Sequence, residues 1–272
     1  MVLRGSKTKS DNIVHLGLGG VAGCVSRTVV APLDRVKILM QTQGGTQHWS
    51  RILRSTFHKE GARALWKGNA LNCLRVFPFS GIQFAMYDFC KSFSTGNDIS
   101  IVTRLKCGLV AGIVSTTATH PIDVVRHRLL CYADVHTWRD AAADLYRERG
   151  FRSYWKGYGS TVCSLTPFVA CNFCIFDWTK DTTKITSTLG VLGLGAWSAL
   201  LAQCLCYPMD TVRRRMQLRG TGYSHGMHAA TCMLRDEGLG AFYRGLVPNA
   251  LKIVPNNAIR FAMYDMFLHV VD

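Results

Sequence analysis

The sequence predicts an all-α membrane protein: six transmembrane helices in three pseudo-symmetric two-helix repeats, with one short helix inside each repeat. Three observations predict it. A motif of the form P-x-D-x-x-[KR] occurs three times, as Pro32-Leu33-Asp34-Arg35-Val36-Lys37, Pro121-Ile122-Asp123-Val124-Val125-Arg126 and Pro208-Met209-Asp210-Thr211-Val212-Arg213, spaced 89 and 87 residues apart. A period this constant marks repeated supersecondary units. Each copy ends a run of about 30 mostly apolar residues, which as helix measures roughly 45 Å, enough for a bilayer with its headgroups. Finally, 48% hydrophobic residues and a mean hydropathy of +0.11 coexist with a net charge of +15. The charge alone would suit nucleic acid or an anionic membrane surface; the long apolar helices leave the membrane and exclude nucleic acid as partner.

The elements follow in the same order in each repeat, over residues 1–96, 97–184 and 185–272, which together make one integral domain. The first long helices are expected over Asn12–Gln41, Ser100–Leu130 and Thr186–Gln217, and Gly190–Met209 carries no charge over its length. Small residues precede the prolines at matched distances (Gly19 and Gly23, Gly108 and Gly112, Gly195 and Ala199), a pattern that lets helices in lipid approach closely. Amphipathic segments follow near Trp49–Lys59, Trp138–Arg147 and Ser224–Arg235. Each leads into a glycine and, seven residues on, a second one preceded by an aromatic and a base: Trp66-Lys67-Gly68, Trp155-Lys156-Gly157 and Tyr243-Arg244-Gly245. An aromatic and a base at a helix start suit a membrane interface, and the exposed backbone N–H groups there suit a lipid phosphate. The second long helices, near Asn69–Phe93, Tyr158–Asp181 and Leu246–Val270, contain Pro78, Pro167 and Pro255 and end in Tyr87-Asp88, Phe176-Asp177 and Tyr264-Asp265. Lys91 and Lys180 follow three residues after the first two acids; Leu268 follows the third.

The eleven cysteines are scattered and odd in number, and Cys171-x-x-Cys174 lies in an apolar helical run with no second pair at zinc spacing. They read as reduced thiols, and no metal or cofactor is expected. No nucleophile–base constellation, P-loop or zinc-protease motif is visible, which argues against an enzyme. The segment Met1–Asp11 is basic and short for a transit peptide, so any import signal is expected to be internal.

Taken together, these motifs resemble the mitochondrial carrier family along essentially the whole chain. The resemblance implies six tilted helices around a central cavity that closes alternately at its two ends. It also implies both termini on the intermembrane-space side and the short helices on the matrix side. Asp34, Lys37, Asp123, Arg126, Asp210 and Arg213 then form an inter-helix salt-bridge ring closing the matrix end, since ionisable groups in a membrane face the bundle interior and pair there. Gln41 and Gln217 match the family's brace beneath that ring; Leu130 does not. Asp88, Asp177 and Asp265 with Lys91 and Lys180 form the cytosolic gate, with Tyr87 and Tyr264 as braces. Leu268 leaves that gate one cation short, and Phe176 lacks the brace hydroxyl. Cardiolipin is the implied lipid at the three aromatic-base-glycine motifs, and the implied state is a monomer.

A cargo is not threefold symmetric, so residues that break the symmetry inside the cavity are the candidate contacts. Thirteen residues before each terminal acid, roughly 20 Å inward, lie Arg75, Ser164 and Lys252. Arg27, Arg214 and Arg260 break the symmetry at other levels, and Leu165 and Phe168 add an apolar, aromatic slot suited to a purine face. So many cations imply an anionic phosphorylated cargo. Within the family, Arg213-Arg214-Arg215-Met216-Gln217 and Pro32–Gln41 look most like the coenzyme A and adenine nucleotide branches. The expected activity is antiport of coenzyme A or an adenine nucleotide across the mitochondrial inner membrane. Ser164, where those branches carry glycine, keeps thiamine pyrophosphate as the alternative. A non-transporting membrane scaffold is the alternative of another class.

Overall fold

A computed structural model describes residues 9–42, 48–93, 101–183, 187–253, 255–256, 259 and 263, without the side chains of 9–19, 101, 188–189 and 192. All regular structure among these residues is helical. In chain order the helices are α1 (Lys9–Thr42), α2 (Trp49–Glu60), α3 (Asn69–Ser92), α4 (Ile101–Cys131), α5 (Trp138–Arg149), α6 (Tyr158–Thr183), α7 (Thr188–Met216), α8 (Gly226–Glu237) and α9 (residues 246–253). The sequence reading missed a 3-10 turn after each short helix, at Ala62–Trp66, Gly150–Trp155 and Leu239–Tyr243.

Long helices adjacent in the chain are neighbours in space: α1 with α3, α3 with α4, α4 with α6 and α6 with α7, while α7 returns to α1. The chain thus circles an axis, and the three motif-bearing helices meet at their proline ends. Prolines 32, 78, 121, 167 and 208 lie inside helices that continue through them. Such a proline frees the carbonyl four residues earlier, which must find another donor in a membrane. Pro32 frees the carbonyl of Thr28, and the indole Nε1–H of Trp66 donates to that oxygen at 2.9 Å.

The short helices bury one face each against the proline end of their own repeat. Ile52 of α2 packs on Val36 and Leu39. Ala141 and Leu145 of α5, one turn apart, pack on Val124, Val125 and Leu129. Ala229 and Met233 of α8 pack on Val212 with Ala241. Burial of a side chain such as Leu145 stabilises its docking by about 2 kcal/mol. The outward faces of the long helices are instead apolar and uncovered: Trp178 is 70% exposed and Leu205 65%, as lipid-facing side chains must be. Among the described residues, one helical run, within Trp138–Thr183, passes the length and hydropathy test for a membrane span.

The small-residue pattern needs correction in detail. A Cβ on Gly112 would meet Leu165 at 3.3 Å and one on Gly23 would touch Val76, so these two do admit a neighbouring helix. Gly108 and Gly195 face open space. The tightest approach falls one residue from Gly19, at Gly20, where a Cβ would lie 2.6 Å from the ring of Phe77.

Candidate functional site: a charged ring at the floor of the helix bundle

Each motif acid reaches the motif base of another repeat. Arg126 on α4 donates to Asp34 on α1. Arg213 on α7 donates to Asp123 on α4 at 2.6 Å, and Lys37 on α1 to Asp210 on α7 at 2.8 Å. Three bridges therefore close a cycle through all three repeats. An acid and base three residues apart on one helix can also pair with each other; here the helices converge closely enough that the inter-helix partner wins. The ring is shielded, with side chains between 3% and 17% exposed. Gln41 lies under the Lys37–Asp210 bridge and donates to Asp210 at 3.5 Å and to Thr211 at 3.3 Å. Gln217 accepts from Arg214 at 3.4 Å, so it supports a neighbour of the ring rather than the ring itself.

The second finding lies just above. Arg75 of α3 donates to the other oxygen of Asp123, and Lys252 of α9 to the other oxygen of Asp34. Arg214 lies 3.5 Å from Asp123 as well. Asp123 thus serves three cations and Asp34 two, while Asp210 has Lys37 and the amide of Gln41. Three carboxylates face six cations, a surplus of three positive charges at the floor of the bundle. Sequence spacing placed Arg75 and Lys252 near mid-depth but could not show that their long side chains reach down to the ring.

The other sequence-selected positions are more dispersed. Ser164 bonds back to the carbonyl of Thr161 at 2.9 Å within its own helix, and Leu165 packs toward Gly112. Phe168 is half-buried on α6. An aromatic the sequence reading overlooked, Phe79, lies one turn beyond Arg75 with the guanidinium 5.5 Å from its ring centre. Arg27 is half-buried on α1. At the opposite end Asp88, Lys91, Asp177 and Lys180 are exposed, and no ion pair joins any two of them. Tyr87 is half-buried nearby. Arg260, Tyr264, Asp265 and Leu268 lie outside the described residues.

The aromatic-base-glycine motifs do something local that the lipid reading did not anticipate. Lys67 donates to the carbonyl of Tyr132, just past the end of α4, at 2.8 Å. Lys156 donates to the carbonyl of Leu218, just past the end of α7, and to Glu148 at 2.7 Å. Each ammonium therefore caps the first long helix of the next repeat, where carbonyls lack partners and cations are favoured. Arg244 pairs with Glu237. The glycines that follow have φ of +75°, +74° and +86°. A Cβ on Gly245 would lie 3.0 Å from the Lys37 carbonyl, and one on Gly157 3.2 Å from Gln217. Only glycine lets the second long helix begin this close to the ring-bearing helix of another repeat.

A second set of buried links escaped the sequence reading. Arg35 donates to Glu60 at 2.7 Å, Arg128 to Asp144 at 3.1 Å and to Glu148, and Arg215 to Glu237. Each ties a ring-bearing helix to its own short helix. The signal was present: an acid recurs at or next to the end of every short helix. Arg128 and Arg215 stand seven residues after their prolines, but repeat 1 has Leu39 there. Arg35, one turn earlier, makes the same link.

Residues 8–98, 97–187 and 184–271 each match the family described as mitochondrial carrier protein. The chain belongs to the mitochondrial carrier family. It is therefore a membrane transporter and not an enzyme. Across 93% of its length it is 38% identical to a probable chloroplastic envelope ADP,ATP carrier protein of Arabidopsis thaliana, covering 70% of that protein. It is 35% identical to a mitochondrial adenine nucleotide transporter of the same plant, over 93% of this chain and 85% of the relative. It is 30% identical to a mitochondrial adenyl nucleotide antiporter of Oryctolagus cuniculus, over 91% of this chain and 56% of that longer protein. The carrier thus has relatives in both chloroplasts and mitochondria.

Proposed function

We propose that this carrier is an antiporter for an anionic, adenine-containing phosphorylated solute, an adenine nucleotide before coenzyme A, in the mitochondrial inner membrane. The observation that carries the reading is the surplus of three cations over acids at the floor of the bundle. Polyphosphate is the cargo chemistry that neutralises such a cluster, with bidentate recognition by Arg75 and Arg214 and a point charge from Lys252. The names of the relatives, ADP,ATP carrier and adenyl nucleotide antiporter, support the same cargo class. Phe168, Leu165 and Phe79 are the aromatic and aliphatic surfaces available to a base.

In this reading the described arrangement is the state closed at the matrix end, with the exposed charges Asp88, Lys91, Asp177 and Lys180 marking the open cytosolic end. The phosphates compete with Asp123 and Asp34 for Arg75 and Lys252. Each ring acid then loses a bond, and the ring becomes easier to open. A cargo shifts the equilibrium only by its differential affinity for the two states, so the binding energy must be realised as the ring loosens. Six spanning helices, termini on the intermembrane-space side, a monomer, and cardiolipin phosphates on the backbone N–H groups after Gly68, Gly157 and Gly245 complete the proposal.

The test is uptake into proteoliposomes preloaded with adenine nucleotides, coenzyme A, thiamine pyrophosphate, pyrophosphate, phosphate or carboxylates. Adenine compounds should be exchanged, and Phe168→Ala should penalise base-bearing solutes more than pyrophosphate. Robust uptake of a dicarboxylate or amino acid with none for any adenine compound would reject the cargo class.

A further inference from the structure

The threefold pattern makes a local departure from it informative. In repeat 1 the two long helices, α1 and α3, meet through a contact that carries sulfur. Gly20 of α1 faces Phe77 of α3 so closely that a Cβ on the glycine would lie 2.6 Å from the ring. One helical turn along the same antiparallel contact, Cys24 faces Cys73. Their hydrogen bonds are reciprocal. The Cys24 thiol donates to the carbonyl of Cys73 at 3.8 Å, and the Cys73 thiol donates to the carbonyl of Cys24 at 3.8 Å. The two thiols are also hydrogen-bond neighbours of each other. A disulfide needs Cα atoms roughly 4.4–6.8 Å apart and Cβ atoms turned toward each other. Sulfurs that each reach the other residue's backbone meet the second condition, and the glycine contact one turn away supplies the close approach.

The other repeats show that packing at this level does not require sulfur. Counted from the prolines, the position of Cys24 holds Ile113 in repeat 2 and Leu200 in repeat 3, and that of Cys73 holds Val162 and Ala250. Apolar side chains serve there, so the facing thiols are particular to repeat 1. Another facing pair, Cys171 and Cys206, joins α6 to α7, but Cys206 is 7% exposed. Cys24 and Cys73 are both half-buried free thiols, within reach of a small molecule.

We propose that Cys24 and Cys73 are a site of reversible oxidation, at which hydrogen peroxide converts the two thiols into a disulfide that clamps α1 to α3. One sulfur attacks the peroxide; the O–O bond breaks, water leaves and a sulfenic acid forms. The second thiol attacks that sulfur; the S–O bond breaks, its hydroxyl leaves with the thiol proton as a second water, and the S–S bond forms. Two electrons pass from the sulfurs to the peroxide. The attacking thiol must first ionise, and half-burial within the bundle makes that step slow, which favours a small uncharged oxidant over a bulky disulfide. α1 carries the ring residues Asp34 and Lys37, and α3 carries Arg75, which holds Asp123. With the clamp closed, any opening that parts Arg75 from Asp123 has to move both helices together. On the exchange reading given above, the oxidised carrier therefore works more slowly, and reduction restores it.

The test treats the full chain in liposomes with hydrogen peroxide, blocks the remaining thiols, and maps unreduced peptides by mass spectrometry. The peptides holding Cys24 and Cys73 should appear joined in the unaltered chain and separate again with dithiothreitol. The joined species should be absent from Cys24→Ser and Cys73→Ser, in which serine keeps a donor for the facing carbonyl. The bridge links residues 49 apart, so the oxidised carrier in detergent should melt roughly 5 °C higher than the reduced one. Peroxide should raise the melting temperature of neither serine variant. Exchange of labelled ADP should slow on linkage and recover with dithiothreitol. Failure of the two peptides to join, or a joined carrier that melts no higher, overturns the proposal. An exchange rate untouched by linkage overturns the clamp's hold on ring opening. Linkage and melting are read without cargo, so they stand or fall independently of the cargo class.

Discussion

Replacing Asp123 by asparagine removes one carboxylate from the centre of the most heavily shared part of the ring. Asp123 is 3% exposed and accepts from Arg213 and Arg75, with the Arg214 guanidinium 3.5 Å away. The amide keeps the shape but leaves three guanidinium groups around a neutral side chain. Breaking a buried pair on one side costs about 3–5 kcal/mol, because the remaining charge stays desolvated. That corresponds to roughly a 10²–10⁴-fold loss in the weight of the closed arrangement. Asp210→Asn is the internal control. Asp210 is 17% exposed and has one cation, Lys37, with Gln41 beside it, so its loss strands less charge. Thermal denaturation can be followed with a thiol-reactive fluorophore, since Cys107 and Cys206 are each 7% exposed and become reactive on unfolding. Asp123→Asn should lower the melting temperature clearly more than Asp210→Asn, and should abolish or uncouple exchange. An equal or larger loss for Asp210→Asn would refute the unequal sharing of the ring.

Further predictions rest on other contacts. Gly245→Ala places a Cβ 3.0 Å from the Lys37 carbonyl at a φ of +86°, whereas Gly61→Ala has a similar φ of +81° and nothing within 4 Å. Both strain the backbone by about 1–3 kcal/mol, but Gly245→Ala should also displace the ring and stop transport, a difference that melting curves and uptake together reveal. Arg35→Leu should loosen α2 from α1, and the double change Arg35→Leu with Leu39→Arg should recover most of the lost stability by moving the link to the position used in repeats 2 and 3. Hydrogen bonds from Arg215, and the charges of Arg215 and Arg244, hold the Glu237 carboxyl below the usual glutamate value. A depressed folded-state value means stabilisation that is complete above the unfolded value of about 4.3 and is lost as pH falls through the folded one. Melting temperatures measured down through that range should fall for the unaltered chain, and less steeply for Glu237→Gln.

The helices and their order were legible because the repeat is long, periodic and marked by prolines. Lys9–Thr42 against an expected Asn12–Gln41 differs only at the ends, where helix boundaries are least determined by sequence. The ring residues were legible for the same reason. Less visible was how side chains leave their own level. Lys252 reaches Asp34 and Arg75 reaches Asp123 along several methylenes, a displacement that counting residues along a helix axis cannot supply. Lys67 and Lys156 looked like headgroup ligands because a base beside an aromatic suits an interface; the neighbouring repeat's helix ends, which no local window contains, claim them first. Arg35 was hidden by the symmetry itself, since the equivalent links start from a different position in the other two repeats.

The central claim is tested most directly by labelled ADP uptake into proteoliposomes with and without internal adenine nucleotide. The account predicts rapid uptake only when adenine nucleotide is inside, and its loss in both Arg75→Ala and Lys252→Ala, because those cations hold the ring acids and receive the phosphates. Uptake into empty liposomes at the same rate, or exchange that survives both substitutions, would contradict it.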